Sequence, residues 1–181
     1  MDRVRVIKKS MDVYLKKYPV LVLTGPRQSG KTTFLKNQFS DYTYVNLENL
    51  DLRKYALNDP NAFLTEFQGK VILDEVQRVP ELFSYIQTKV DEDRLMGQYI
   101  LSGSQNFHLM RNITQSLSGR VALFKLLPFD LEEMQDAAWL ADDYAVNLQR
   151  GFIPPYMTVI FLQRRFIQTT CKPMLSEICQ T

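Results

Sequence analysis

The stretch VLVLTGPRQSGKTT, residues 20–33, constrains the fold more than any other part of the chain. A continuous apolar run ends in a glycine-bounded loop, and a polar segment of helical character follows. The run 20–24 reads as a strand buried on both faces of a parallel sheet. The loop fits G-x-x-x-x-G-K-[ST], a pattern that carries meaning only between such a strand and a helix. Gly25 and Gly30 permit backbone angles that turn successive N–H groups toward an anion. A helix starting after Gly30 would aim its N-terminus at the same place. Lys31 supplies a flexible point charge for phosphate oxygens. Thr32 supplies a hydroxyl of the hard type that Mg²⁺ prefers. The expected phosphate-binding set is therefore Gly25, Pro26, Arg27, Gln28, Ser29, Gly30, Lys31, Thr32 and Thr33.

The rest of the chain alternates in the same manner. Helical spacing over 6–18 is ended by Pro19, and a helix is predicted from Gly30 to about Phe39. YTYVNL (42–47) reads as a strand, and 49–67 as helix broken near Asp59-Pro60. KVILDE (70–75) and QYILSGS (98–104) are further buried strands, separated by a helix over 80–93 with Pro80 at its start. A helix over 105–119 closed by Gly119, a strand over 120–129 and an acidic helix start at 130–137 complete the pattern. Five strands alternating with helices predict an α/β P-loop fold, an open and mainly parallel five-stranded sheet flanked by helices.

A phosphate loop needs a carboxylate on a neighbouring strand to help hold the metal. VILDE supplies Asp74 at the C-terminal edge of its strand, where open parallel sheets bind ligands. Thr32 and Asp74 are thus the expected metal-binding pair. Glu75 follows at once and is placed to orient and deprotonate a water. That arrangement favours hydrolysis over transfer to a small acceptor, since a kinase must keep water away. A solvated acidic pair is the plain alternative. The strand ending LSGSQN offers Ser102, Ser104 and Gln105 between the phosphate loop and the Asp74 strand, near a γ-phosphate, with Ser104 taken as the catalytic candidate; a Ser- and Gly-rich turn is the alternative. Arg120, between a helix and a strand, suits a finger reaching a neighbouring subunit, or else a surface ion pair. Arg27 and Arg78 carry weaker versions of that reading. His108, the sole histidine, reads as structural.

The bulk numbers exclude several classes. At 181 residues, with 45% hydrophobic and 23% charged content, the chain can build one core and is not of disordered composition. A net charge of +2 implies no nucleic-acid or membrane partner by itself. No apolar run approaches the roughly 18 residues of a membrane span, and no leader pattern opens the sequence. Cys171 and Cys179 suggest neither a disulfide framework nor a zinc site. The default location is the cytoplasm.

Four segments in this order, LTGPRQSGKTT, VILDEVQRVPELF, YILSGSQNF and SLSGRVALFKLLPFDLEEM, resemble the bacterial and archaeal AAA-type ATP-binding proteins that carry a C-terminal domain of unknown function. The likeness runs from about residue 3 to residue 155. It implies an AAA+ core with ATP and Mg²⁺ as cofactors, Lys31 and Thr32 on phosphate and metal, Asp74 and Glu75 as the second motif, and Arg120 as finger in a homo-oligomer. It also implies an ATPase whose work is done by a downstream domain. Two rivals stand beside it, a small-molecule P-loop kinase and a non-catalytic nucleotide-binding remnant.

The family pattern breaks off at Met157. A shifted reading frame over 156–181 can spell YDR, PPE and TYVERD at the family's spacing. The expectation is that a one-base deletion near the Pro154 and Pro155 codons made 157–181 missense and cost the chain its effector domain; a diverged native terminus or a small module is the alternative. Residues 1–128 are expected to form the P-loop core, with 1–18 its N-terminal helix. Residues 129–155 would start a helical region, and 156–181 would be a non-native tail.

Overall fold

The computed structural model describes residues 7–27, 29–104, 113 and 115–128. They lie almost wholly in a compact unit, Met1–Leu127; a second unit is Pro128–Thr181. The expected helices over 105–119 and 130–137 and the tail at 156–181 fall mostly or wholly outside the described residues.

The elements are α1 (Ile7–Leu15), β1 (Val20–Gly25), α2 (Lys31–Gln38), β2 (Thr43–Asn46), α3 (Leu50–Asn58), α4 (Pro60–Glu66), β3 (Val71–Asp74), α5 (Leu82–Asp93), β4 (Tyr99–Ser104) and β5 (Val121–Lys125). A 3₁₀ turn, Val76–Arg78, follows β3. All five strands form one parallel sheet in the order β2-β3-β4-β1-β5. The predicted α/β P-loop architecture is therefore the observed one. Side-chain alternation divides the apolar strands between two cores. Val20, Val22, Val71, Leu73, Tyr99 and Leu101 share one core with residues of α3, α4 and α5. Leu21, Leu23, Ile72 and Ile100 share the other with Met11 of α1 and Phe34 and Leu35 of α2. Because both faces are covered, β1 and β3 are buried along their whole length, which is why the sequence shows runs rather than alternation there.

Local chemistry sets the helix ends. Asn49 caps α3 by accepting from the Asp51 and Leu52 amides at 2.9 and 3.1 Å. Asp59 closes α3 and also caps α4, accepting from Ala62 N at 2.9 Å ahead of Pro60. That double duty is the physical content of the break at Asp59-Pro60. Two expected boundaries need correction. The helix predicted from Pro80 begins at Leu82, and the strand predicted over 120–129 ends at Lys125. The last ladder bond runs from the Leu126 amide to Thr24 O at 2.7 Å, so the chain just past Lys125 still lies against the end of β1.

Candidate functional site

The C-terminal ends of β1, β3 and β4 meet at one edge of the sheet. The strand bearing Asp74 is not the neighbour of β1: β4 lies between them, pairing Gly25 with Ser104 and Ile72 with Ile100. The expectation of an adjacent acidic strand is corrected in that respect.

Gly25 and Gly30 serve the loop for different reasons. A Cβ at Gly25 would lie 2.2 Å from the Leu126 carbonyl oxygen, so the chain leaving β5 requires a glycine there. Gly30 has φ +86° and open space around it, so its need is conformational. Gly30 caps α2 without a side-chain acceptor, leaving the first amides of the helix with no side-chain partner. Lys31 is only 7% exposed. Its ammonium donates to Gly25 O at 3.0 Å and Pro26 O at 2.8 Å. Burial pulls its pKa below the ordinary 10.5, opposed by the charges of Glu75 and Asp74. Pro26, Arg27, Thr32 and Thr33 are exposed, Ser29 is buried, and Gln28 is outside the described residues.

Asp74 is 2% exposed and well partnered. Thr32 Oγ1 donates to its Oδ2 at 2.7 Å, and Tyr44 Oη donates to the same oxygen at 2.6 Å. The Glu75 amide donates to Oδ1 at 3.1 Å. The Thr32–Asp74 bond joins residues 42 positions apart at the point where the two motifs meet. Tyr44, from β2, was not singled out in the sequence; within an alternating strand nothing separates it from a packing tyrosine. Burial and the Asp74 carboxylate push its phenol well up, which keeps it protonated as a donor. Lys36 lies over the Tyr44 ring at 4.2 Å and holds its other side.

Glu75 leaves the strand in a left-handed backbone conformation, φ 57° and ψ 39°, a region that costs a non-glycine residue about 1–2 kcal/mol. Its carboxylate accepts from Gln77 Nε2, which also reaches Ser104 Oγ at 3.3 Å. Ser104 thus joins the group, whereas Ser102 is fully buried in mid-sheet opposite Leu23 and does not reach the edge. Gln105 and His108 are outside the described residues.

Arg120 stands apart. It precedes β5, whose first residue pairs with Val20, so it lies at the opposite edge of the sheet from Glu75. It makes a two-pronged ion pair with Asp91 at 2.5 and 2.8 Å and donates to Ser118 O at 3.1 Å. Arg78 is exposed. Among the described residues no three His, Cys, Asp or Glu side chains gather into a metal cage, and no helix is long and apolar enough to cross a membrane.

Comparison with known proteins follows the same outline. An AAA domain family matches residues 17–135. The uncharacterized protein Rv2008c of Mycobacterium tuberculosis is 32% identical over 151 residues, which cover 80% of this chain and 32% of that protein. The uncharacterized protein MJ1544 of Methanocaldococcus jannaschii is 26% identical over 141 residues, 72% of this chain and 31% of the other. The chain thus spans about a third of the length of the curated relatives it matches. Among solved structures, AMPPCP-bound DnaA from Aquifex aeolicus aligns with a TM-score of 0.53 at 14% identity, covering 95% of this chain and 63% of DnaA. That likeness is one of fold.

Proposed function

Because the chain belongs to the family of AAA domains, we propose that it binds ATP with Mg²⁺ and hydrolyses it to ADP and phosphate. The observation that carries this reading is the Thr32–Asp74 hydrogen bond of 2.7 Å with Glu75 directly following. It brings the metal-binding hydroxyl, the metal-binding carboxylate and a second carboxylate to one edge of the sheet.

The donor set suits both partners. Thr32 and Asp74 offer hard oxygens, and Mg²⁺ completes such a pair with water and phosphate oxygens rather than a cage of protein ligands. Bound there, Mg²⁺ would neutralise charge on the β- and γ-phosphates. Lys31 donates to two carbonyls, and phosphate oxygens are stronger acceptors for an ammonium. The Ser29 hydroxyl is buried and has no partner among the described residues, a polar group the loop itself leaves unsatisfied. In this reading Lys31 and the backbone N–H groups of the loop, Pro26 having none, hold the phosphates. Glu75 takes a proton from water as its oxygen attacks the γ-phosphorus, and ADP leaves. Arg120, at the far edge of the sheet, would serve the site of a neighbouring copy in a homo-oligomer rather than its own.

Location in the cytoplasm, where ATP and Mg²⁺ are available, belongs to the same proposal. So does coupling of the cycle to segments present in the longer relatives. The test is ATP turnover by the purified chain with Mg²⁺ and no added acceptor. Glu75→Gln should keep nucleotide binding and lose phosphate release, and Lys31→Ala should lose binding. Turnover only with an added acceptor would establish a kinase. Binding without phosphate release, unaltered by Glu75→Gln, would establish a non-catalytic binder.

A further inference from the structure

We infer that Gln77 is a positioning residue: its amide holds the Glu75 carboxylate and ties it to Ser104 at the end of β4. This rests on the reading of Glu75 as the group that activates water. Gln77 lies in the 3₁₀ turn two residues beyond Glu75, and its Nε2 donates both to Glu75 Oε2 and to Ser104 Oγ. The orientation of the amide is fixed by chemistry, since the reverse would set its oxygen against a carboxylate, acceptor against acceptor. The turn itself is held by Arg78 N to Glu75 O at 2.9 Å and Val79 N to Val76 O at 3.1 Å. Gln77 therefore has a fixed base from which to act.

The other end of the amide shows what kind of role this is. Gln77 Oε1 is buried and has no hydrogen-bond partner among the described residues. A buried unpaired acceptor is costly and calls for a reason. Leu or Met would fill the space without that cost; what the amide adds is the bond to Glu75. Being out of reach of solvent, Oε1 does not meet the attacking water, so Gln77 acts through Glu75 rather than on the substrate.

A glutamate has three side-chain torsions and needs a partner to stay in one of its rotamers. Effective proton abstraction requires the base to be held to within about 0.5 Å. Gln77 supplies that restraint, and its second bond sets the reference point. Ser104 is the register partner of Gly25, the first residue of the phosphate loop. Through Gln77, the position of the carboxylate is fixed relative to the strand beside the loop rather than only to its own turn.

The experiment uses the full chain and measures ATP turnover and nucleotide affinity separately. Gln77→Met keeps the volume and removes the donor. It should lower kcat by about 10- to 100-fold, the range expected when a reacting group is misplaced by up to an ångström. Nucleotide affinity should stay as in the parent and the melting temperature should not fall, whereas a merely structural role would lower it. In a Glu75→Gln background the same change should add no further loss. A kcat within twofold of the parent overturns the inference, as does a loss that multiplies fully on top of Glu75→Gln. If the parent turns ATP over, Glu75→Gln stops it and Gln77→Met leaves it alone, only this inference falls. If the parent binds ATP and releases no phosphate, the hydrolytic reading falls and takes this one with it.

Discussion

Gly25→Ala is expected to destabilise the protein even without nucleotide. The added Cβ would sit 2.2 Å from the Leu126 carbonyl oxygen, whereas ordinary contact begins at 3.4 Å. Relief requires the ends of β1 and β5 to part by about 1 Å. They are stitched together by Leu126 N to Thr24 O at 2.7 Å and Thr24 Oγ1 to Phe124 O at 3.2 Å, and Leu126 is 2% exposed. A forced backbone shift in a packed core costs about 1–3 kcal/mol, and losing one such bond costs about 1 kcal/mol more, which makes about 2–4 kcal/mol. For a chain of this size each kcal/mol lowers Tm by about 2–4 °C, so a drop of about 5–15 °C is expected. Gly30→Ala is the control. Nothing lies within 4 Å of its Cβ, and only φ +86° opposes it, at about 1–2 kcal/mol. Urea and thermal unfolding of both variants, with no nucleotide present, decide the matter. If Gly25→Ala is within 0.5 kcal/mol of the parent, or milder than Gly30→Ala, the steric account of Gly25 is wrong.

Three further expectations can be checked by unfolding. Lys31 has a lowered pKa in the fold, so the unfolded chain binds more protons between that value and 10.5, and this residue's contribution to stability rises with pH across that window. Lys31→Met removes the effect, so its stability advantage should be greatest at neutral pH and shrink as pH approaches 10.5; a gap that ignores pH contradicts the assignment. Tyr44→Phe deletes a donor to a buried carboxylate and should cost about 1–2 kcal/mol in urea; a change under 0.3 kcal/mol would mean that Thr32 and the Glu75 amide suffice for Asp74. Phe63→Ala should cost about 3–5 kcal/mol, because Phe63 is fully buried and packs edge-on against Tyr55 and Phe67 at 5.6 and 4.9 Å; a loss below 1 kcal/mol would mean that the site collapses to fill the hole.

The strands were legible because burial on both faces leaves a run of apolar residues, as in VLVLT and VILD, that few other environments permit. The break between α3 and α4 was legible because Asp59 and Pro60 act locally. What escaped the sequence was non-local. Gly25 reads as a phosphate-loop glycine, yet the atom that forbids a side chain there belongs to Leu126, about a hundred positions on. Tyr44 bonds Asp74 across the β2–β3 pair, and an alternating strand gives no sign of which tyrosine will do so. Arg120 was noticed, but its bond to Asp91 and its place at the other edge depend on the register of β5.

The sheet order has a consequence for how the chain is made. Among the described strands β1 is synthesised first and sits between β4 and β5, the two that come last. Its partners lie about 80 and 100 residues downstream, at Tyr99 and Val121. At translation rates of about 5–20 residues per second, β1 waits some 5–20 seconds before both of its edges can be paired. Parallel pairing of this range folds slowly, because long loops must close before any contact rewards them. Until β4 has been made, VLVLT, the apolar strand of the phosphate-loop unit, has neither of its partner strands to pair with. The strand that later carries the loop is thus an apolar segment of the nascent chain that needs shielding until its partners are made.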